Sequence, residues 1–199
     1  MTDTGLGGPT VTAIANDLED GWVEAVLKFW FEQATPEQWF EKDPSFDAAV
    51  RERFHPLHEV LLSQRDDELV GNARTALAAV IVLDQMSRNM FRATARAFAA
   101  DPQALRLAQA AVARGFDTAL PKDQRKFFYL PFEHCEDHGM QARCVELTAS
   151  LGDPELTKRA EAHKAVIDRF GRFPHRNAVL DRPSTLEEAE FLKQPGSSF

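Results

Sequence analysis

Three stretches of this 199-residue chain collect side chains capable of chemistry. The first is Asp84-Gln-Met-Ser-Arg88-Asn89-Met-Phe-Arg92-Ala-Thr-Ala-Arg96, which directly follows an apolar run. Leu77, Ile81, Asp84 and Arg88 keep helical spacing, so a carboxylate and a guanidinium extend a stripe that otherwise faces a core. Charges carried into a core cost several kcal/mol unless they are paired, which makes Asp84 and Arg88 candidates for a structural ion pair. The second is Ile167-Asp-Arg169-Phe-Gly-Arg172-Phe-Pro-His175-Arg176-Asn177. Residues 163–182 hold five formal positives (Lys164, Arg169, Arg172, Arg176, Arg182) against two negatives, in a chain of net charge −8. The third is Glu133-His134-Cys135-Glu136-Asp137-His138, with Gln141 beyond.

Arginine grips carboxylate or phosphate with two parallel hydrogen bonds, so two positive islands in an acidic protein point to convergence on an anion. The candidate ligand-binding residues are Arg88, Asn89 and Arg92 from the first stretch, and Arg172, His175, Arg176 and Asn177 from the second. Glu133 and His134 are the general acid/base candidates lining the same cavity, because a buried carboxylate or imidazole can titrate near neutrality. His163 shares a face with Leu156, Ala160, Ile167 and Phe170 and is read as a core histidine.

Other chemistries find no pattern. His134, His138 and Gln141 fall at i, i+4 and i+7, but there is no His-Glu-x-x-His and no further ligand at fixed spacing, so no metal site is assigned. Cys135 and Cys144 form no Cys-x-x-Cys, and nine helical residues hold them too far apart to bridge. No nucleophile elbow, P-loop or Gly-rich dinucleotide loop occurs, and no cofactor is called for. An acidic chain is a poor nucleic-acid binder, and no apolar run is long enough to span a membrane.

The elements that position these residues are helices. Ala and Leu total 47 residues against 15 Val and Ile, no hairpin signal occurs, and the expected class is all-α. Thr35-Pro36, Asp43-Pro44, Asp101-Pro102 and Asp153-Pro154 each place a capping residue before a proline suited to the first helical position, and Ser184 to Glu187 reads as a capping box. Gly115 and Gly171 mark helix ends. The pattern predicts helices near 18–33, 36–41, 44–64, 71–86, 102–114, 122–130, 131–150, 154–170 and 185–193. Short connections imply antiparallel neighbours. Residues 76–83 are apolar all round, which predicts a surrounded central helix. Trp22, Phe29, Trp30, Trp39 and Phe40 read as packing. Residues 1–16 read as an N-terminal tail, and 17–199 as a single helical domain. The amino terminus lacks a signal-peptide pattern, so a cytoplasmic location is expected.

Val26 to Phe31, Leu83 to Arg92, Ala97-Phe98 to Asp101, Phe128 to His134 and Phe170 to Asn177 together resemble the signature blocks of a bacterial family known as domain of unknown function 924. The resemblance covers roughly residues 22–193. It implies an all-helical fold of antiparallel pairs in a tetratricopeptide-like right-handed superhelix, and it supplies no activity. The chain departs from that family in two places. Leu180-Asp181-Arg182 stands where the family usually has Leu-Gly-Arg, and the added carboxylate is placed to pair with an arginine. Gly71-Asn-Ala-Arg74 stands where the family usually carries a Trp.

Two functions fit these residues. One is a pocket for a small carboxylated or phosphorylated ligand, with or without catalysis. The other is a helical scaffold that binds a protein or peptide without catalysis.

Overall fold

Helices begin where the chain supplies acceptors for the first unpaired N–H groups. Asp43 Oδ1 accepts from the backbone N–H of Ser45 and Phe46, and Asp153 Oδ1 does the same for Glu155 and Leu156. The computed structural model describes residues 21–198, which fold into helices and turns with no strand among the described residues.

In chain order, α1 (Trp22–Lys28) runs into a π-helical turn, Phe29–Gln33. Next come α2 (Pro44–Ser63) and α3 (Asp66–Leu69). The central helix α4 (Ala73–Val80) continues through a second π-helical segment, Ile81–Met86, into α5 (Ser87–Met90). Then follow α6 (Arg96–Ala99), α7 (Asp101–Ala113), α8 (Lys122–Glu133), α9 (His138–Ala149) and α10 (Pro154–Phe170). A single 3-10 turn, Pro174–Arg176, precedes α11 (Leu186–Phe191).

Every residue from Ala76 to Leu83 is without solvent exposure. α1, α7 and α8 pack on α4, while α2, α7 and α8 pack on the π segment that follows it. A second, smaller apolar cluster joins Val166, Ile167 and Phe173 with the partly buried Phe170 and Phe191. No helix of the described residues is long and apolar enough to cross a membrane.

Several expected boundaries move. The tail over 1–16, and residues 18–20 of the first helix, lie outside the described residues. Residues 36–41 form turns rather than a helix. Trp39 Nε1 donates to the Trp30 carbonyl at 2.8 Å, which draws that stretch back against the end of α1. The break expected at Pro131 lies instead at residues 134–137. α8 runs through Pro131 and stops because Gln141 Nε2 donates to the carbonyls of Glu133 and Cys135, at 2.6 and 2.8 Å. Asp137 then caps α9 by accepting from Met140 N–H. The last capping box is one residue later than read, with Thr185 and Glu188 as its members. Gly171 ends α10 in the left-handed region, φ 69°, as a C-terminal glycine should.

Candidate functional site

The π segment is the first positioning device. A π turn inserts an extra residue into a helix and shifts the phase of everything after it, and such turns recur at functional sites. Here it carries Asp84, whose side chain has no solvent exposure. Gln85 Nε2 donates to Asp84 Oδ2, and His134 at the end of α8 donates through Nδ1 to Asp84 Oδ1 at 2.8 Å. Arg88 Nη1 donates to the Asp84 carbonyl at 2.6 Å and lies 3.3 Å from Asp84 Oδ1. Burial opposes ionisation of Asp84, yet the Arg88 guanidinium and His134 hold its carboxyl well below the usual carboxylate range.

Asp101 is the second device. Its expected role was to cap α7, but its side chain makes no cap bond. The carboxylate turns inward and takes both terminal nitrogens of Arg88 at 3.0 Å each. The same carboxylate lies 3.5 Å from Arg176 Nη1. His134, Asp84, Arg88, Asp101 and Arg176 therefore form one alternating chain of base, acid and guanidinium.

These groups border a cavity of about 300 Å³. Gln85, Arg88, Asn89 and Arg92 form one side, and Glu133 with His134 comes from the end of α8. Arg159 and His163 enter from α10, and His175 and Arg176 from the 3-10 turn. Trp39, Phe40 and Phe98 supply aromatic walls. Arg159 stacks on Phe40, and Arg176 on Phe98, each guanidinium 4.6 Å from the ring centre.

Electrostatics divides the four guanidiniums. Arg92 is held by Asp47 of α2 at 2.6 and 2.8 Å, and Asn89 donates to the same carboxylate at 2.8 Å. Arg88 is saturated by Asp84 and Asp101. Arg159 spends only Nε, on Glu133 at 3.1 Å. Arg176 is 6% exposed and shares a carboxylate already gripped by Arg88, and its buried Nε meets no acceptor among the described residues. Burial and the nearby Arg88 lower its pKa to about 10.

The surroundings of the three cavity histidines favour their neutral form. His163 Nδ1 donates to the Arg159 carbonyl at 2.9 Å, and its Nε2 lies 3.6 Å from Glu133 Oε1. Burial first, and the nearby arginines, lower the His163 pKa to about 4. Burial and Arg176 bring His175 to about 4 as well. Burial and Arg88 also lower His134, with Asp84 acting in the opposite direction.

Seven of the residues picked out in the sequence as ligand-binding or acid/base groups line this cavity: Arg88, Asn89, Arg92, His175, Arg176, Glu133 and His134. Arg172 and Asn177 do not. Arg172 is taken by Glu188 at 2.6 and 2.8 Å, and Asn177 bridges Ser184 and Arg182. Both residues lie outside the 3-10 turn Pro174–Arg176 that carries His175 and Arg176 to the cavity. They fasten the loop instead.

Arg159, Gln85 and the aromatic walls escaped the sequence reading. The one available signal was that Arg159 stands one helical turn before His163 on the same face. Phe40, read as packing, is 46% exposed at the cavity. Asp181 makes no ion pair among the described residues, and Arg182 pairs with Glu136 instead. The break before α9 separates His138 from His134, and His138 meets Asp168 on the surface at 3.2 Å. No group of three metal-ligating side chains occurs among the described residues. Cys135 and Cys144 are unbridged.

An all-helical domain that ends its buried central helix in a cavity of arginines and histidines is the class these observations define. The chain belongs to the family described as bacterial protein of unknown function (DUF924), whose model matches residues 26–196. Among solved structures, it is similar to a protein of unknown function, ATU0120, from Agrobacterium tumefaciens. The two are 40% identical over 86% of this chain and 96% of the other, with a TM-score of 0.82. No curated protein matches the chain.

Proposed function

We propose that the cavity binds a small anion, a carboxylated or phosphorylated compound, between Arg159 and Arg176. Arg176 is the observation that carries this reading. A guanidinium presents five N–H donors, and among the described residues this buried one has a single shared carboxylate contact, at 3.5 Å, and no acceptor for its Nε. A bound anion would supply what it lacks. The unused terminal nitrogens of Arg159 offer the second contact, and the aromatic walls accommodate an apolar body. A cavity of about 300 Å³ suits a ligand of few atoms.

A tetratricopeptide-like superhelix of antiparallel pairs, in the cytoplasm, is the setting we propose for this pocket. Against the competing reading of a peptide-binding scaffold, the exposed large apolar residues are dispersed. Among the described residues only Phe40, Leu62 and Leu186 are exposed large apolar residues, and they stand on three separate segments of the chain.

Thermal shift and calorimetric titration with succinate and inorganic phosphate test the reading. A ligand that binds only the folded state raises the melting temperature. Arg176→Met should lower the affinity at least tenfold while the variant melts cooperatively. Absence of any shift with either class of anion, in the wild-type protein at low salt, would remove the proposal.

A further inference from the structure

We propose that the cavity is catalytic: His134, oriented by Asp84, is a general base that activates water to hydrolyse a small ester bearing a carboxylate. The inference rests on the anion-binding reading for how the substrate is held.

The geometry supplies three separate observations. Asp84 Oδ1 accepts from His134 Nδ1 at 2.8 Å, which fixes the tautomer and leaves Nε2 as the ring's accepting atom. Nε2 has no hydrogen-bond partner among the described residues, on an imidazole that lines the cavity. Asp84 is fully buried with two further partners, Gln85 and Arg88, so the dyad cannot swing away from that position. A histidine serving only to pair with a buried acid would not need to stand on a cavity wall.

The cavity lining also selects the nucleophile. It contains no serine, threonine, cysteine or lysine. A covalent route through a hydroxyl, thiol or amine therefore has no attacking atom, the Glu133 carboxylate is engaged by Arg159, and a general base acts on water. Arg176 offers an electrophile for negative charge that develops beside it.

The step balances without an oxidant or reductant. As the water oxygen bonds to the ester carbonyl carbon, His134 Nε2 takes one water proton, and the C=O electron pair moves onto its oxygen. The resulting oxyanion lies against a guanidinium. Its collapse restores C=O and breaks the bond to the alcohol oxygen, which takes the proton back from His134. Ester and water become acid and alcohol. Asp84 touches no reacting atom and is a positioning residue.

Acting on His134 are Asp84 and Arg88 from the central helix, Asp101 from α7 and His175 from the 3-10 turn, with Glu133, Arg159, His163 and Arg176 in the same cavity lining. The positive groups and burial outweigh the carboxylates, so the base form persists below neutrality.

The test uses the full chain with p-nitrophenyl hydrogen succinate, and p-nitrophenyl acetate as the uncharged comparator. The expected result is hydrolysis of the succinate ester with the higher kcat/KM, rising with pH through one ionisation below 6.5. His134→Asn keeps a donor toward Asp84 and should lower kcat at least 100-fold, with succinate affinity and melting temperature close to wild type. Asp84→Asn should lower kcat more than it raises KM. Succinate binding with no hydrolysis above the buffer rate would overturn this inference and leave the binding reading intact. Equal rates for wild type and His134→Asn would overturn it too. Hydrolysis without measurable succinate binding would keep the base and remove the anion reading.

Discussion

Asp101 serves two guanidiniums at once, where Asp84 serves one guanidinium, an imidazole and an amide. Asp101 holds Arg88 through two bonds of 3.0 Å and is the single acidic contact of Arg176 among the described residues. Removing one partner of a buried pair leaves an uncompensated charge and costs about 3–5 kcal/mol. Asp101→Ala should reach that range. Asp84→Ala should cost less, although Asp84 is the more deeply buried, because Arg88 keeps its bidentate grip on Asp101. Urea unfolding of the two variants measures the order, and a smaller loss at Asp101 than at Asp84 would contradict the assignment of Asp101 as the principal partner. The reversal also explains what helical spacing left hidden. Asp84 and Arg88 are one turn apart and announce each other; Asp101 follows a different helix start, where an aspartate before proline reads as a cap.

At the scale of elements, the same distinction separates what the chain displays from what it conceals. The Asp-Pro starts at 43 and 153 and the glycine stop at 171 were legible, because each is a local bond between neighbours in sequence. The all-apolar run 76–83 was legible for the same reason. The π segment was not: it contains no glycine or proline, and the tertiary bond beside it, from His58 of α2 to the Ser87 hydroxyl, joins residues far apart in sequence. The arginine islands could be found from charge, since they stand out in an acidic chain. Their facing could not, because a 3-10 turn and an irregular loop set it. Asp181, in the loop after that turn, lies in the left-handed region at φ 52°, a conformation that favours glycine. A non-glycine residue there is strained by an amount on the order of 1 kcal/mol, partly offset by the greater unfolded-state freedom of glycine. Asp181→Gly should therefore raise stability by up to about 1 kcal/mol, read as a rise in the melting temperature; a fall would show that the carboxylate has a stabilising contact.

For the whole molecule, the buried histidines set the response to acid. His163 and His175 titrate near 4 when folded, against about 6.5 in an unfolded chain. Between those values the unfolded state binds more protons, so stability falls as pH falls from 6.5 toward 4. Their contribution is complete above 6.5, and each group accounts for at most about 3 kcal/mol. Asp84, depressed in the fold, adds a further loss only below the ordinary carboxylate range. Denaturant melts at pH 7, 6, 5 and 4.5 should show a steady decline, and a His175→Phe variant should decline less steeply. A flat profile over that interval would mean that both imidazoles accept protons in place.

The small cluster of Val166, Ile167, Phe173, Phe170 and Phe191 stands apart from the main core. Two apolar centres in one chain allow two units of opening, and the one with fewer buried contacts opens at the lower free energy. Amide hydrogens over residues 171–191 should then exchange with solvent faster than those of Ala76–Leu83, whose release needs global unfolding. The half of the cavity built from His175 and Arg176 belongs to the faster unit, and the half built from Asp84 and Arg88 to the slower. An anion held between Arg159 and Arg176 would slow exchange in 171–191 and leave the central helix unchanged, so deuterium uptake by mass spectrometry would locate a bound ligand without any knowledge of its identity.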